Sequence, residues 1–465
     1  MRIICKISLL SFFLQIYCSS SAQTIAAGYD HCLAICNDNT VKAWGYNSNG
    51  QLGNGTIVDS DIPVQVSSLI GITAVAGGEN HSIALKNNGT VWAWGRNIDG
   101  ELGNGNNTES HVPVQVSGLT GVIAISSKGG MFSLALKNNG TIWAWGNNNT
   151  GQLGNGNTVN SNIPIQVSTL VGITSICAAT NHSLALKSDG TVWAWGLNLD
   201  GELGNGTNIM SHVPIQVTSL SGIIAITTSG SSSLAIKNDG TVWAWGRNLF
   251  GQLGNGNNID SNIPIQVYSL SSIIAIAGGA CHFLALKSDG SVWAWGYNIN
   301  GQLGIGNTSN RNIPVQVSPL TGIVSISAGG NNSIALNNTG QVWTWGSNEN
   351  GELGNGTIGI GTESHIPIQV LTLCSVAIGE NENSDPVSIS VYPNPNNGTF
   401  LLSISSTHPL KNELSIFNIL GDKISSLFIT NQTSIIDLSN NPNGIYFLVV
   451  KTEMGTFTEK LIIQR

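Results

Sequence analysis

Seven tryptophans, Trp44, Trp94, Trp145, Trp195, Trp245, Trp295 and Trp345, each head a Trp-Gly pair and follow one another at steps of 50, 51, 50, 50, 50 and 50 residues. A period of this length marks an array of like supersecondary units, none of which can bury its apolar surface alone. Each unit repeats the pattern seen in "TVWAWGLNLDGELGNGTNIMSHVPIQV" at 191–217. Asn stands three residues after the Trp (Asn47 through Asn348) and Gly at six (Gly50 through Gly351), followed by Leu-Gly, a further Gly and a Pro that opens "IPVQV" or a variant. All 13 tryptophans of the chain fall inside the motif.

Within a unit the periodicity is that of strands. "HSIALK" and "TVWAWG" are short β-rich runs joined by "NNG" or "SDG", the chemistry of tight hairpins. "IPVQV", with its Pro at the first strand residue, and "GITAVAGG" supply two more. Four strands per unit in seven units predict an all-β fold, a seven-bladed β-propeller, in preference to a β-solenoid, because no atypical capping unit is visible. In "VWAWG" the two tryptophans share one face. Their placement in nearly every unit favours blade-to-blade packing over a sugar-stacking platform. Gly50 and its equivalents are expected at turns of positive φ. Lys42 replaces the first Trp in the first unit, where the ring would close.

Of the 465 residues only 9% are charged, and the formal net charge is −8. That balance leaves no electrostatic footprint for nucleic acid or for an anionic membrane. The N-terminus, "MRIICKISLLSFFLQIYCSSSAQ", has Arg2 and Lys6, an apolar run from Leu9 to Ile16, and small residues Ser20 and Ala22 before Gln23. It reads as a secretory signal over residues 1–22, with a lipoprotein reading of Cys18 weakened by the bulky Tyr17 before it. No other segment has the length of apolar run that a membrane helix needs. Past the signal remain Cys32, Cys36, Cys177, Cys281 and Cys374, an odd number whose pairing the sequence leaves open. Cys177 and Cys281 read as buried structural residues.

No constellation carries catalysis, so no enzyme, cofactor or metal is expected. His31, His81, His182 and His282 occupy equivalent positions, but residues repeated in different blades lie too far apart for shared ligation, and a structural role is the better reading. "NLDGELGNG" lacks the carboxylates of a calcium loop, "GNG" has no helix behind it to cradle phosphate, and no serine elbow occurs. One covariation stands out. Units with Glu101, Glu202 and Glu352 carry His111, His212 and His365 before the Pro, whereas units with Gln51, Gln152, Gln252 and Gln302 carry Asp61, Asn162, Asn262 and Asn312. Either the two side chains of a unit touch, or a two-unit block was duplicated.

Partner binding is expected where the units differ. The variable positions around the Trp-Gly-x-Asn segment read Tyr46, Arg96 with Ile98, Leu197 with Leu199, Arg247 with Leu249 and Phe250, and Tyr297 with Ile299. Arg, Tyr and large apolar side chains are enriched in interface hot spots. Tyr46, Arg96, Leu197, Arg247, Leu249, Phe250 and Tyr297 are the candidate contact residues, centred on units five and six.

The recurring "AAG..HSLALKSDGTVWAWGLNLDGELGNG......P.QV" resembles the repeat of the regulator of chromosome condensation family over about residues 24–370. The resemblance implies the propeller fold and is silent on activity. Members include a nucleotide-exchange factor that docks on nucleosomes, a plant ultraviolet photoreceptor and a secreted bacterial inhibitor of β-lactamases. The acidic charge, the signal and the absence of a Gly-Trp-Arg-His-Thr motif argue against the first two roles here.

The last part of the chain breaks from the repeat. After the polar linker "GENENSDPVSIS", alternating apolar runs between Asn, Gly and Pro turns predict a small C-terminal β-sandwich. It resembles the C-terminal sorting domain of the type IX secretion system through Tyr392, Pro393, Asn394, Pro395, Gly398, Phe400, Leu420, Gly421, Gly444, Ile445, Tyr446 and Lys460. That resemblance implies a Bacteroidota-type bacterium, contact with that secretion machinery, and a final location outside the cell or attached to its surface. The expected organisation is a signal over 1–22, a propeller over 23–378, a linker over 379–386 and a sorting domain over 387–465. The expected function is macromolecule binding by one propeller face, to an extracellular protein first, with a glycan ligand or inhibition of an enzyme as alternatives.

Overall fold

The computed structural model describes residues 25–371, 373–374 and 388–464, the last range without 393–395, 406–411, 419–421, 430, 432 and 453–454. The signal reading and the linker therefore lie outside the described residues, as do Pro393, Asn394, Pro395, Leu420 and Gly421 of the sorting motif.

Seven four-stranded antiparallel sheets follow one another, each built from four consecutive strands in chain order. The fourth is typical, with strands Ile173–Ala178, His182–Lys187, Val192–Gly196 and Ser211–Gln216. Its middle hairpin turns at Asp189-Gly190, where Gly190 takes φ +77° and Asp189 Oδ1 accepts from the Thr191 N–H at 3.0 Å. First strands of successive sheets adjoin, and Ile25–Ala27 of the first lies against Ile323–Ala328 of the seventh, so the sheets close into a ring of blades. The chain is all-β among the described residues, as its pattern predicts.

The strand carrying proline differs in detail from the sequence reading. Pro214 is the fourth residue of Ser211–Gln216, not the first. It is accommodated because this outer strand pairs on one side only, and because its register slips between Ala194 and Gly196 of its neighbour.

In the six blades that carry two tryptophans, the pair divides the work that the sequence gives it jointly. Trp195 is fully buried against Phe132, Leu134, Leu153 and Val167 of the preceding blade, with Trp193 packed on the same cluster but half-buried. Trp195 Nε1 donates to the Gln152 carbonyl at 2.8 Å. The same bond joins every adjacent pair of blades and closes the ring from Trp44 Nε1 to the Glu352 carbonyl at 2.9 Å. Gly154 lies beneath the indole at φ +68°, where an added Cβ would stand 2.7 Å from Trp195 Nε1. The outer tryptophans Trp92, Trp143, Trp193 and Trp293 are covered by Lys86, Lys137, Lys187 and Lys287, whose ammonium groups sit 5.1–5.9 Å from the ring centres. Trp243 and Trp343 are half-buried as well, so none of the tryptophans presents a fully open ring for stacking a sugar.

Among the described strands none is shared between the two ends of the ring. A disulfide joins them instead, Cys36 of the first blade to Cys374 beyond the seventh, across a sequence separation of 338 residues. Cys32 and Cys177 are buried thiols outside any disulfide, and Cys281, likewise outside one, is only half-buried.

The chain divides into two compact units, Met1–Cys374 and Ser375–Arg465. In the second, a three-stranded sheet of Ser388–Tyr392, Thr399–Ser405 and Thr433–Asp437 accompanies a four-stranded sheet of Asn412–Asn418, Lys423–Ile429, Gly444–Thr452 and Gly455–Ile463. Phe400, Leu402 and Ile436 from one sheet share a core with Leu414, Leu448 and Leu461 from the other, which makes a β-sandwich. Of the sorting-motif residues, Gly398 takes φ +108° and Gly444 opens a strand. Tyr446 is buried with its hydroxyl donating to the Pro442 carbonyl at 2.8 Å. Lys460 pairs with Phe447 across the last two strands, and Tyr392 is 77% exposed.

Candidate partner-binding face

In each blade the loops after the first and third strands emerge on one face. They are held together there by backbone bonds such as Arg247 N–H to the Ser231 carbonyl at 3.0 Å and Tyr297 N–H to the Cys281 carbonyl at 2.9 Å. Tyr46, Arg96 and Leu197 make the equivalent bonds to Asp30, Asn80 and Asn181, so the variable residues after Trp-Gly share this face.

The long loop that follows is wound around the repeated Asn. Asn248, wholly buried, accepts from the Leu253 N–H at 2.8 Å and donates to the Asn257 and Ile259 carbonyls at 3.1 and 3.0 Å. Asn258 Nδ2 adds a bond to the Leu249 carbonyl at 2.9 Å. A loop with its own polar core holds large apolar side chains outward with little freedom left to lose on binding. Leu199, Leu249, Ile259 and Ile299 are 64%, 53%, 72% and 60% exposed, which makes them accessible.

The structure brings some of the seven candidates together and separates others. Phe250 and Tyr297, from blades five and six, are in contact with ring centroids 4.6 Å apart at 49°. Arg247 and Leu249 line an open groove with Asp200, Asn258, Ile259 and Asp260. Arg96 is spoken for. Its guanidinium pairs with Asp99 at 3.1 Å and with the buried Glu101 carboxylate. Tyr46 and Leu197 are half-buried at their own positions on the ring.

The Glu–His pairing within a unit is not formed. Glu101 is bound by Arg96 and by the Asp99 N–H at 2.9 Å, whereas His111 lies 3.3 Å from Glu109. His111 covers Gly50 of the preceding blade, where an added Cβ would meet its ring at 2.5 Å; His212 and His365 cover Gly151 and Gly301 in the same way. The covarying partner of each His is therefore the Gln-bearing turn of the blade before it. Unit-by-unit alignment could not show this, because the contact crosses the unit boundary.

The four repeated histidines are structural, as their pattern suggests. His31 Nε2 meets Ser82 Oγ of the next blade at 2.8 Å, and His81, His182 and His282 repeat the contact with Ser133, Ser233 and Ser333 at 2.9 Å each. Burial holds His31 down to about 4 and the other three to about 3. Among the described residues no group of three or more His, Cys, Asp or Glu side chains could hold a metal ion. Asp30 lies near the seam, where burial, then the charges of Glu352, Glu79 and Glu349, push its carboxyl up to about 7.

This blade construction has known counterparts. A family model described as the RCC1-like domain matches residues 122–383 of the 465. The chain belongs to the RCC1-like domain family. Models of the regulator of chromosome condensation (RCC1) repeat match the earlier blades, at 38–85 and 88–136 and at 23–51 and 72–101. Over 50 residues, 11% of each chain, this RCC1-like protein is 44% identical to the ultraviolet-B receptor UVR8 of Arabidopsis thaliana. Human WBSCR16 superposes with a TM-score of 0.64 at 24% identity, covering 71% of this chain and 93% of that one. Yeast RCC1 (Prp20), solved bound to Kap60, gives 0.64 at 22%, covering 76% and 85%. These likenesses establish the propeller fold. A model of the secretion system C-terminal sorting domain matches residues 390–464. The RCC1-like propeller is thus carried by a sorting domain, and the protein is secreted or held at the cell surface.

Proposed function

We propose that this RCC1-like protein is an extracellular binding scaffold that recognises another protein through the sector of its loop face formed by blades five and six. The carrying observation is the Phe250–Tyr297 contact, an aromatic pair bridging two blades beside the Arg247–Leu249 groove. Aromatic and arginine side chains grouped on rigid loops and rimmed by apolar residues are the composition of an interface core. Asp200 and Asp260 flank Arg247 in the groove and set a mixed-charge rim.

A glycan ligand has less support, because the repeated tryptophans are buried, half-buried or covered by lysine. The organism is of the Bacteroidota type, the signal is cleaved before Gln23, and the propeller, linker and sorting domain occupy 23–378, 379–386 and 387–465. Of the seven loop-face candidates, Arg247, Leu249, Phe250 and Tyr297 form the centre of the site, Tyr46 and Leu197 lie further round the ring, and Arg96 is engaged by Asp99 and Glu101.

The test immobilises the exported protein, exposes it to extracts of the organism's surroundings, and treats the extracts beforehand with protease or with periodate. Loss of capture after protease, and its loss in an Arg247→Ala/Phe250→Ala/Tyr297→Ala variant that melts like the wild type, is the expected result. Loss only after periodate, or full capture by the triple variant, would overturn the reading.

A further inference from the structure

The step of 51 residues between Trp94 and Trp145 records one extra residue in the third blade. The first strand Val122–Ser126 of blade three is one residue shorter than Ile72–Gly77 of blade two, and the next strand, Phe132–Lys137, begins six residues after it ends, whereas His81–Lys86 begins four after Gly77. The longer loop carries Lys128, which turns in toward the axis of the ring. It lines both the axial chamber of about 70 Å³ and the narrower glycine-rich mouth above it. Among the described residues Lys128 is the single charged side chain on either lining.

Lys128 is half-buried, and an ammonium carries three donors. Nζ donates to Thr227 Oγ1 of blade five at 3.4 Å, a long contact to a neutral oxygen. The hydroxyls around the chamber are poised as donors too. Ser126 Oγ already accepts from the Ala178 N–H at 2.9 Å, and Ser327 Oγ from the Ala27 N–H at 3.2 Å. Each hydroxyl still has its own O–H to donate, and that proton can point into the chamber. The rest of the wall mixes Ser127, Cys177 and Ser325 with the apolar Ile125, Ile176, Ile276 and Ile326. One cation and several hydroxyl donors in a small, partly apolar chamber without a carboxylate lack one thing, a negative charge.

We propose that the axial chamber binds one small monovalent inorganic anion of the halide class, with Lys128 as its counter-charge and Thr227, Ser126 and Ser327 as hydroxyl donors. A single ammonium balances one negative charge, so a multivalent oxyanion would be left with buried, uncompensated charge. The anion ties blades three, five and seven to one another across the axis. This site is separate from the loop-face sector and does not depend on it.

The experiment exchanges the full exported chain into sodium gluconate and follows its thermal unfolding as bromide replaces gluconate at constant ionic strength. An ion that binds only the folded state raises the midpoint progressively once its dissociation constant is passed. The wild type and Lys128→Arg should show this rise and Lys128→Met should not. Crystals soaked in bromide should give an anomalous peak on the axis within hydrogen-bond reach of Nζ. An equal bromide response in Lys128→Met, or an axis without a peak, overturns the proposal. If Lys128→Met does not fold, the wild-type peak decides alone.

Discussion

At Glu202 one carboxylate oxygen, Oε1, is buried without a partner, and burial lifts the group to about 7. Its counterpart Glu101 has Arg96 beside it, whereas position 197 of the fourth blade is Leu. Gln152, Gln252 and Gln302 show that a neutral amide serves the same turn. Glu202→Gln should therefore raise stability at pH 8 by roughly 2 kcal/mol and leave it unchanged near pH 4, where the carboxyl is protonated in both states. Denaturant midpoints at the two pH values check this, and equal effects at both would contradict it. The buried histidines act with the opposite sign. Their folded-state values of about 3 to 4 lie below the ordinary 6.5, so the unfolded chain takes up protons first and stability falls as pH drops below 6.5. Asp30 and Glu202, raised to about 7, gain stability over the interval from 7 to about 4 and offset that loss. Below pH 4 that offset is exhausted and His81, His182 and His282 are still taking up protons. Asp38, Asp189, Asp239 and Asp289, held below the usual aspartate value by hydrogen bonds from the Thr or Ser two residues on, begin to lose their stabilising contribution, so acid unfolding should steepen there. His182→Asn, which copies Asn332 at the equivalent position of blade seven, should flatten the pH dependence of the urea midpoint; an unchanged slope would remove the histidines from the account.

Between elements, the indole-to-carbonyl bond and the glycine beneath it set how closely two blades approach. Gly154→Ala adds a methyl group 2.7 Å from Trp195 Nε1 at a φ of +68°, so it must both strain the turn and push the blades apart. A loss of about 3 kcal/mol is expected, from a small-to-large clash of roughly 1–3 kcal/mol plus the backbone term, read as a lowered denaturation midpoint. A neutral Gly154→Ala would mean that the staple does not control the spacing. This scale also shows what the sequence made legible. Alternation in "HSLALK" and "VWAWG" gives the strands, their turns and the shared face of Trp193 and Trp195, because period-two burial is written locally. It could not separate the buried Trp195 from the lysine-capped Trp193, since the cap comes from the neighbouring strand. The Glu–His covariation failed for a related reason, the contact running from one blade to the turn of the blade before it. Only the ring supplies that adjacency.

For the whole molecule the seam between blades one and seven is the point of closure. The seven-fold count was readable from tryptophan spacing, and the Cys36–Cys374 clasp was not, because pairing across 338 residues requires knowing that the ring's ends meet. Closing so long a loop restrains the unfolded chain by on the order of 5 kcal/mol in the chain-entropy picture. Cys36→Ser/Cys374→Ser should lower the thermal midpoint and raise amide exchange first in Ile25–Ala27 and Ile323–Ala328, the strands that adjoin at the seam. Uniform loosening of all seven blades would contradict a local clasp. Lys128 was equally unreadable in function, although the 51-residue step marked its insertion. The residue types of the proposed binding sector stand at equivalent positions in the sequence, but their grouping was not legible there, since Arg96 is consumed by Asp99 and Glu101 while Phe250 and Tyr297 meet. The most direct measurement is hydrogen–deuterium exchange of the exported protein with and without its captured partner. The account predicts new protection concentrated in 246–260 and 296–300; protection confined to the hairpins of the opposite face, such as 187–191 and 237–241, would contradict it.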